Sequence, residues 1–196
     1  MPIFCAKKVV MDKLILASKS PRRSLLLREC GIDFETIVPN VREVLVAETP
    51  RRLVEQNALI KAQSVAESYP DRLVMGADTI VALGNAVFGK PKDENEALQM
   101  LKSLSGKTHS VFTAVAIVCK NKNIKKVFSR ESKVSFKNLS EIEILAYIKA
   151  VYVLDKAGAY AAQEKGSMII EKIDGDFDNV MGLPCKLVKE MLATIK

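Results

Sequence analysis

The run Leu73–Leu83 is apolar or small at every position except Asp78 and Thr79. It reads as a buried strand, and Gly84-Asn85 directly after it is a two-residue hairpin signal. Val87 and Phe88 then lie in a return strand. A strand that turns back on itself needs an antiparallel neighbour. Helical segments before and after it need crossover connections. Hairpins and crossovers in one chain point to an α/β (mixed α+β) fold on a mixed sheet.

The remaining punctuation agrees. Leu14–Ala17 is a short buried strand that runs into Ser18-Lys19-Ser20-Pro21. Ser20 suits an N-cap, Pro21 the first helical position and Gly31 the stop after a helix ending near Cys30. A strand follows near Phe34–Val38. Thr49-Pro50 opens a long helix that ends before Pro70, with Val54, Ala58, Ala62, Val65 and Tyr69 as its apolar stripe. Asp93 and Glu96 form a capping-box-like pair before Ala97, Met100, Leu101 and Leu104, and Gly106 closes that helix. Val111–Cys119 and Ile124–Phe136 are strands joined at Asn121-Lys122-Asn123. Ser140 with Glu143 is a capping box, stapled by Leu139 and Ile144. Met168–Ile173 is a further strand, and Pro184 starts a last helix carrying Leu187, Val188, Met191, Leu192 and Ile195 on one side. With 196 residues, the expectation is a single domain over 1–196, with 1–12 as an N-terminal extension and Met11 as a second candidate start.

Composition removes several classes of function. No apolar run approaches the ~20 residues needed to span a bilayer, so no membrane role is expected. The four cysteines form no CxxC pair and read as reduced thiols in a cytoplasmic protein. His109 is the sole histidine, which excludes the usual zinc sites and any Ser-His-Asp or Cys-His mechanism that does not use it. A metal would be a hard ion on carboxylates, Mg²⁺ or Mn²⁺. The net charge of +7 suggests an anionic partner. That excess lies almost wholly after Leu98, and Lys120–Lys137 alone carries +6. It does not mark the active site, and the hairpin reads as a solvated face.

Five places carry candidate chemistry. Ser18-Lys19-Ser20-Pro21-Arg22-Arg23 sits at a strand-to-helix junction, where free N–H groups suit phosphate. Two arginines there oppose the helix dipole by roughly 0.3–1 kcal/mol each, a cost that a bound polyphosphate reverses. The plain alternative is a pair of solvated arginines. Asp78 is a carboxylate in a buried strand, costing several kcal/mol unless it meets a cation, a metal or a cleft. Its alternative is a strand-end residue satisfied by backbone. Lys61 falls within the apolar stripe, between Ala58 and Val65, and either snorkels or aims its ammonium into a cleft. Lys90, in Gly89-Lys90-Pro91, holds a loop position suited to substrate but is weak alone, as is Glu43. His109 carries less. Asp174, Asp176 and Asp178 read as turn chemistry, because Cys185 stands where a calcium loop needs a bidentate glutamate.

Taken together, LILASKSPRRSLLL, GADTIVALGNAVFGKPKDENEALQMLKSLSGKTHSVFTAV, LDKAGAYAAQ and IDGDFDNVMGLP resemble the Maf family of nucleoside triphosphate pyrophosphatases, in family order over Leu14–Pro184. The resemblance implies an elongated mixed sheet flanked by helices, with two lobes and a central cleft, as in ITPase-like folds. It implies cleavage of a nucleoside triphosphate to monophosphate and pyrophosphate. DKAGAY followed by Gln163 is similar to the branch that prefers dTTP and UTP. By position, Asp78 matches the proton acceptor that activates water. Glu43 and Asp78 match a metal site for Mg or Mn. Ser18, Ser20, Arg23, Lys61 and Lys90 match residues around the phosphates, and Arg22, Thr79 and Gln163 match positions of base selectivity. Arg42 departs from a second acid often found beside Glu43. Ala161-Ala162 departs from Gly-Ile, and Glu164-Lys165 intervenes before Gly166. A possible homodimer is a family expectation. The rival readings are a purine or modified-nucleotide pyrophosphatase, and a basic nucleic-acid-binding module. The absence of tryptophan and the 6% aromatic content argue against the module, so no stable nucleic-acid complex is expected.

Overall fold

The computed structural model describes residues 13–195; Cys5 and the alternative start Met11 lie outside them. A seven-stranded mixed sheet forms the centre. Its order is β2 (Phe34–Ile37), β1 (Leu14–Ala17), β3 (Val74–Leu83), β5 (Thr108–Cys119), β6 (Ile124–Phe136) and β7 (Ile170–Asp174), with β4 (Ala86–Phe88) pairing β3. β1 pairs parallel to both β2 and β3, because a helix crosses over in each connection. The remaining pairs are antiparallel hairpins or returns.

Among the described residues six α-helices pack on the sheet: α1 (Pro21–Glu29), α2 (Pro50–Ala66), α3 (Glu94–Leu104), α4 (Glu141–Ala150), α5 (Phe177–Met181) and α6 (Cys185–Ala193). Their starts follow the expected caps. Thr49 accepts from the Arg52 N–H, Asp93 from the Glu96 N–H, and Ser140 with Glu143 completes a capping box. Ser20 is the exception. It occupies the N-cap of α1, but its side chain bonds no first-turn N–H. α2 stops at Ala66, one turn short of the expected stripe, so Tyr69 lies exposed beyond it. β5 begins at Thr108, and α5 is a helix that the turn residues around Asp174–Asp176 had hidden.

The core has three apolar clusters. One joins α3, α4 and the ends of β5 and β6. A second lies under α2, where Val54, Ala58, Ala62 and Val65 meet Ile15, Ala17, Val74 and Ile80. The third lies on the opposite face, where α1 and α6 cover Leu14, Leu16, Met75 and Val115. His109 belongs to this packing. It is buried, its Nε2 lies 2.8 Å from the Tyr160 hydroxyl, and its ring meets Phe136 edge-on. Burial pulls its pKa down from 6.5 to about 4. Between those values the unfolded chain binds the extra proton, so stability rises with pH and is lost as pH falls through the window. The loss is at most about 3 kcal/mol. Denaturant melts from pH 7 to pH 4 should show this slope, and His109→Gln should flatten it; an unchanged slope in the variant refutes the assignment.

Candidate active site

Strand register creates the site. β1 runs parallel to β3 and ends at Ala17, opposite Gly76. β4 runs antiparallel to β3 and ends at Phe88, opposite Val81. The C-terminal ends of β1 and β4 therefore point toward each other along one edge of β3. Among the described residues, no strand covers that edge over Ala77–Ile80. The chain leaves β1 as Ser18-Lys19-Ser20 and leaves β4 as Gly89-Lys90, so two polar strand exits converge on a gap whose floor holds Asp78 and Thr79.

Alternation along β3 sends these two side chains to opposite faces. Asp78 faces α2. Lys61 lies in the α2 stripe as expected, and its ammonium sits 2.7 Å from Asp78 Oδ1 and 2.8 Å from Glu43 Oε1. The Lys61 and Asp78 side chains are 10% and 9% exposed, whereas Glu43 is half exposed at 50%. The pair is thus a desolvated ion pair, with Glu43 reaching in from solvent. Burial by itself raises the Glu43 pKa. The Lys61 hydrogen bond and charge, with Lys90 and Arg23 behind them, outweigh that effect and hold it below the ordinary carboxylate range.

Thr79 faces α1. Arg23 Nη2 donates to Thr79 Oγ1 at 3.0 Å, Arg23 Nε donates to the Gly182 carbonyl at 3.0 Å, and Nη1 reaches Ser18 Oγ at 3.4 Å. Thr113 Oγ1 donates to the Asn179 carbonyl at 2.9 Å. Its single proton is then committed, so Thr79 must donate across the 3.0 Å contact to Thr113. The chain Arg23, Thr79, Thr113, Asn179 has one direction and locks the guanidinium. Burial lowers the Arg23 pKa and Asp78 opposes that shift. Lys90 is also lowered, first by burial and then by Arg23 and Lys19. Like charges crowd at the mouth of the gap, and an anion with several charges relieves the crowding.

Of the remaining candidates, Ser20 contributes its backbone N–H to Ser18 Oγ at 3.2 Å. Arg22 turns away from this cluster and pairs with Asp155, at 2.8 Å to Oδ2 and 3.2 Å to the carbonyl. Gln163 donates a hydrogen bond to Glu164, and among the described residues it hydrogen-bonds none of the other candidates. The Asp155–Gln163 segment is tied to the gap from the β4 side, because the Gly158 N–H donates to the Gly89 carbonyl at 2.9 Å. Gly158, at φ +68°, also lies against Val81, where a Cβ would sit 2.8 Å from a Val81 methyl. The aspartate run near the C-terminus is structural. Asp178 accepts from the Cys185 and Asn179 N–H groups.

Sequence reasoning missed Asn57, Asp155 and Lys156. Asn57 Nδ2 lies 3.4 Å from Asp78 Oδ2. The same amide accepts from the Val44 N–H at 2.8 Å and donates to the Val44 carbonyl at 3.0 Å. It therefore pins the segment that delivers Glu43. Asn57 lies one turn before Lys61 on the same face, so the spacing that picks out Lys61 also picks out Asn57. Asn57→Ala should leave both Val44 backbone groups unpaired, costing about 1–3 kcal/mol. It should also lower turnover about tenfold by freeing Glu43. Thermal melts and steady-state kinetics check this, and wild-type kinetics in the variant would refute the clamp.

Glu43 and Asp78 share one ammonium and are thus at most about 5.5 Å apart. Among the described residues, no group of three His, Cys, Asp or Glu side chains could hold a metal. Glu43 and Asp78 are the kind of two-carboxylate set that Mg²⁺ or Mn²⁺ takes, with phosphate oxygens and water in the remaining positions, and the Lys61 ammonium holds the place between them here.

Comparison with known proteins bears on the family of the chain. The family model "Maf-like protein" matches residues 13–195. A dTTP/UTP pyrophosphatase of Bacillus cereus is 48% identical over 183 residues, covering 92% of this chain and 95% of the relative. A dTTP/UTP pyrophosphatase of Thermosipho africanus is 47% identical over 180 residues, covering 92% of each. The Staphylococcus aureus Ham1 protein has a solved structure that covers 94% of this chain and all of its own, with a TM-score of 0.49 at 14% identity. With a family model spanning the whole described chain and relatives near half identity over nearly all of it, this chain belongs to the Maf family.

Proposed function

We propose that this protein hydrolyses dTTP and UTP to the nucleoside monophosphate and pyrophosphate, acting as one domain with the gap in β3 as its active site. The observation that carries this reading is the buried Asp78–Lys61 pair at the edge of a cluster of Arg23, Lys61 and Lys90. A carboxylate for water and several cations for phosphate are the two things the reaction requires. The identity to two dTTP/UTP pyrophosphatases over nearly the full chain supports the choice of nucleotide.

In this reading Asp78 orients a water and takes its proton as the oxygen bonds the α-phosphorus. The bond from that phosphorus to the β-bridging oxygen breaks, and the electron pair leaves with pyrophosphate. Arg23, Lys61 and Lys90 hold the phosphate oxygens on which charge builds, with Ser18 and Ser20 as neutral contacts. Glu43 and Asp78 would hold a divalent ion, which supplies Lewis-acid neutralisation of the triphosphate. Arg22, Thr79 and Gln163 act in base selection. No helix among the described residues is long and apolar enough to cross a membrane. Free Cys30, Cys119 and Cys185 support a cytoplasmic setting.

The test is product analysis on dTTP, UTP, CTP and purine triphosphates with Mg²⁺ or Mn²⁺. Pyrophosphate from dTTP and UTP is expected. Orthophosphate release, or no turnover by folded protein, overturns the reading.

A further inference from the structure

Two of the three expected base-selectivity residues, Arg22 and Gln163, are joined by an unbroken chain of charged side chains. Arg22 Nη1 meets Asp155 Oδ2 at 2.8 Å. Asp155 Oδ1 meets Lys156 Nζ at 2.8 Å. Lys156 Nζ lies 3.6 Å from Glu164 Oε1, and that same oxygen accepts from Gln163 Nε2 at 3.3 Å. The centre of the chain is rigid. The Lys156 side chain is 5% exposed, and its ammonium also donates to the Tyr152 carbonyl at 2.6 Å.

A carboxylate is acceptor-only, so it admits one orientation of the Gln163 amide: the NH₂ faces Glu164 and the carbonyl faces away. That carbonyl oxygen, Oε1, is buried and has no hydrogen-bond partner. The acceptor is unspent and closed to solvent in this conformation, so a base that pairs with it must first displace the side chains that cover it. The pyrimidine edges differ at this point. Uracil and thymine carry an N3–H donor, whereas cytosine has a bare N3 acceptor. A fixed amide oxygen therefore pairs with the first two and repels the third.

We infer that Glu164 is a positioning residue for base recognition, holding the Gln163 amide with its oxygen toward the N3–H of uracil or thymine, and that Lys156 and Asp155 anchor it to Arg22. This rests on the proposed dTTP/UTP activity and on Gln163 as the base reader.

Glu164→Gln tests it, because the side chain keeps its shape while losing acceptor-only character. Its own NH₂ can then donate to Gln163 Oε1 and turn the amide over. The kcat and KM for UTP and CTP are measured for wild type, Glu164→Gln and Gln163→Ala. Glu164→Gln should raise the UTP KM about tenfold, leave kcat within about twofold, and narrow the UTP:CTP preference about tenfold. An unchanged preference in Glu164→Gln, or an equal loss on both nucleotides, overturns the positioning role if Gln163→Ala narrows the preference. An unchanged preference in Gln163→Ala overturns the base-reading role of Gln163 itself, and the inference with it.

Discussion

Asp78→Asn should cut pyrophosphate release about 10³-fold without unfolding the protein. Asparagine keeps the shape of the buried side chain but cannot take a proton from water. Lys61 retains Glu43 at 2.8 Å, so the ammonium is not stranded. The stability cost is that of one weakened charged hydrogen bond, about 1–3 kcal/mol. The direction of KM discriminates further. Asp78 places a negative charge beside Lys61 and opposes the burial-driven fall of the Arg23 pKa. Removing that charge leaves more positive potential for the triphosphate. At saturating Mg²⁺ or Mn²⁺ the loss should therefore fall on kcat, with KM unchanged or lower. Turnover within tenfold of wild type would refute Asp78 as the proton acceptor, and a loss confined to KM would recast it as a binding group.

How far the site was legible depended on whether one segment held the information. Lys61 was readable because its position in the α2 stripe is a matter of 100° steps within one helix. Asp78 was readable because a carboxylate in an apolar strand needs a reason. The convergence of the β1 and β4 ends was not readable. It follows from a parallel register on one side of β3 and an antiparallel one further along the same edge, set by long-range pairing. Asp155 and Lys156 stand inside LDKAGAYAAQ, yet their roles emerge only when Arg22, more than a hundred residues away, arrives opposite them. The net charge pointed to an anion but not to its place. Part of the basic hairpin is matched locally, with Lys120 on Glu67, Lys126 on Thr194 and Arg130 on Asp176.

Gly76 ties fold to chemistry most directly, and Gly76→Ala should damage both. A Cβ built there falls 2.2 Å from the Ala58 carbonyl oxygen and 2.7 Å from the Ala62 nitrogen. Both obstacles are backbone atoms of α2, so no side-chain rotation relieves the clash. The helix must lift by about 1 Å or more before ordinary contact returns. Lifting it parts Val54, Ala58, Ala62 and Val65 from Ile15, Val74 and Ile80, in a core cluster that has no other helix. The cost is about 3 kcal/mol or more, a fall in melting temperature of about 6–12 °C. Asn57 and Lys61 ride on the same helix, so the 2.7 Å contact to Asp78 lengthens with it. A displacement near 1 Å at reacting groups costs about 10²-fold in rate. The control is Gly89→Ala, beside Lys90, where an added methyl meets nothing within 4 Å. It should melt and turn over like wild type. A Gly76→Ala protein with wild-type melting and turnover would mean that α2 can yield without moving Lys61. The close approach of Gly76 would then have no part in placing the Lys61–Asp78 pair.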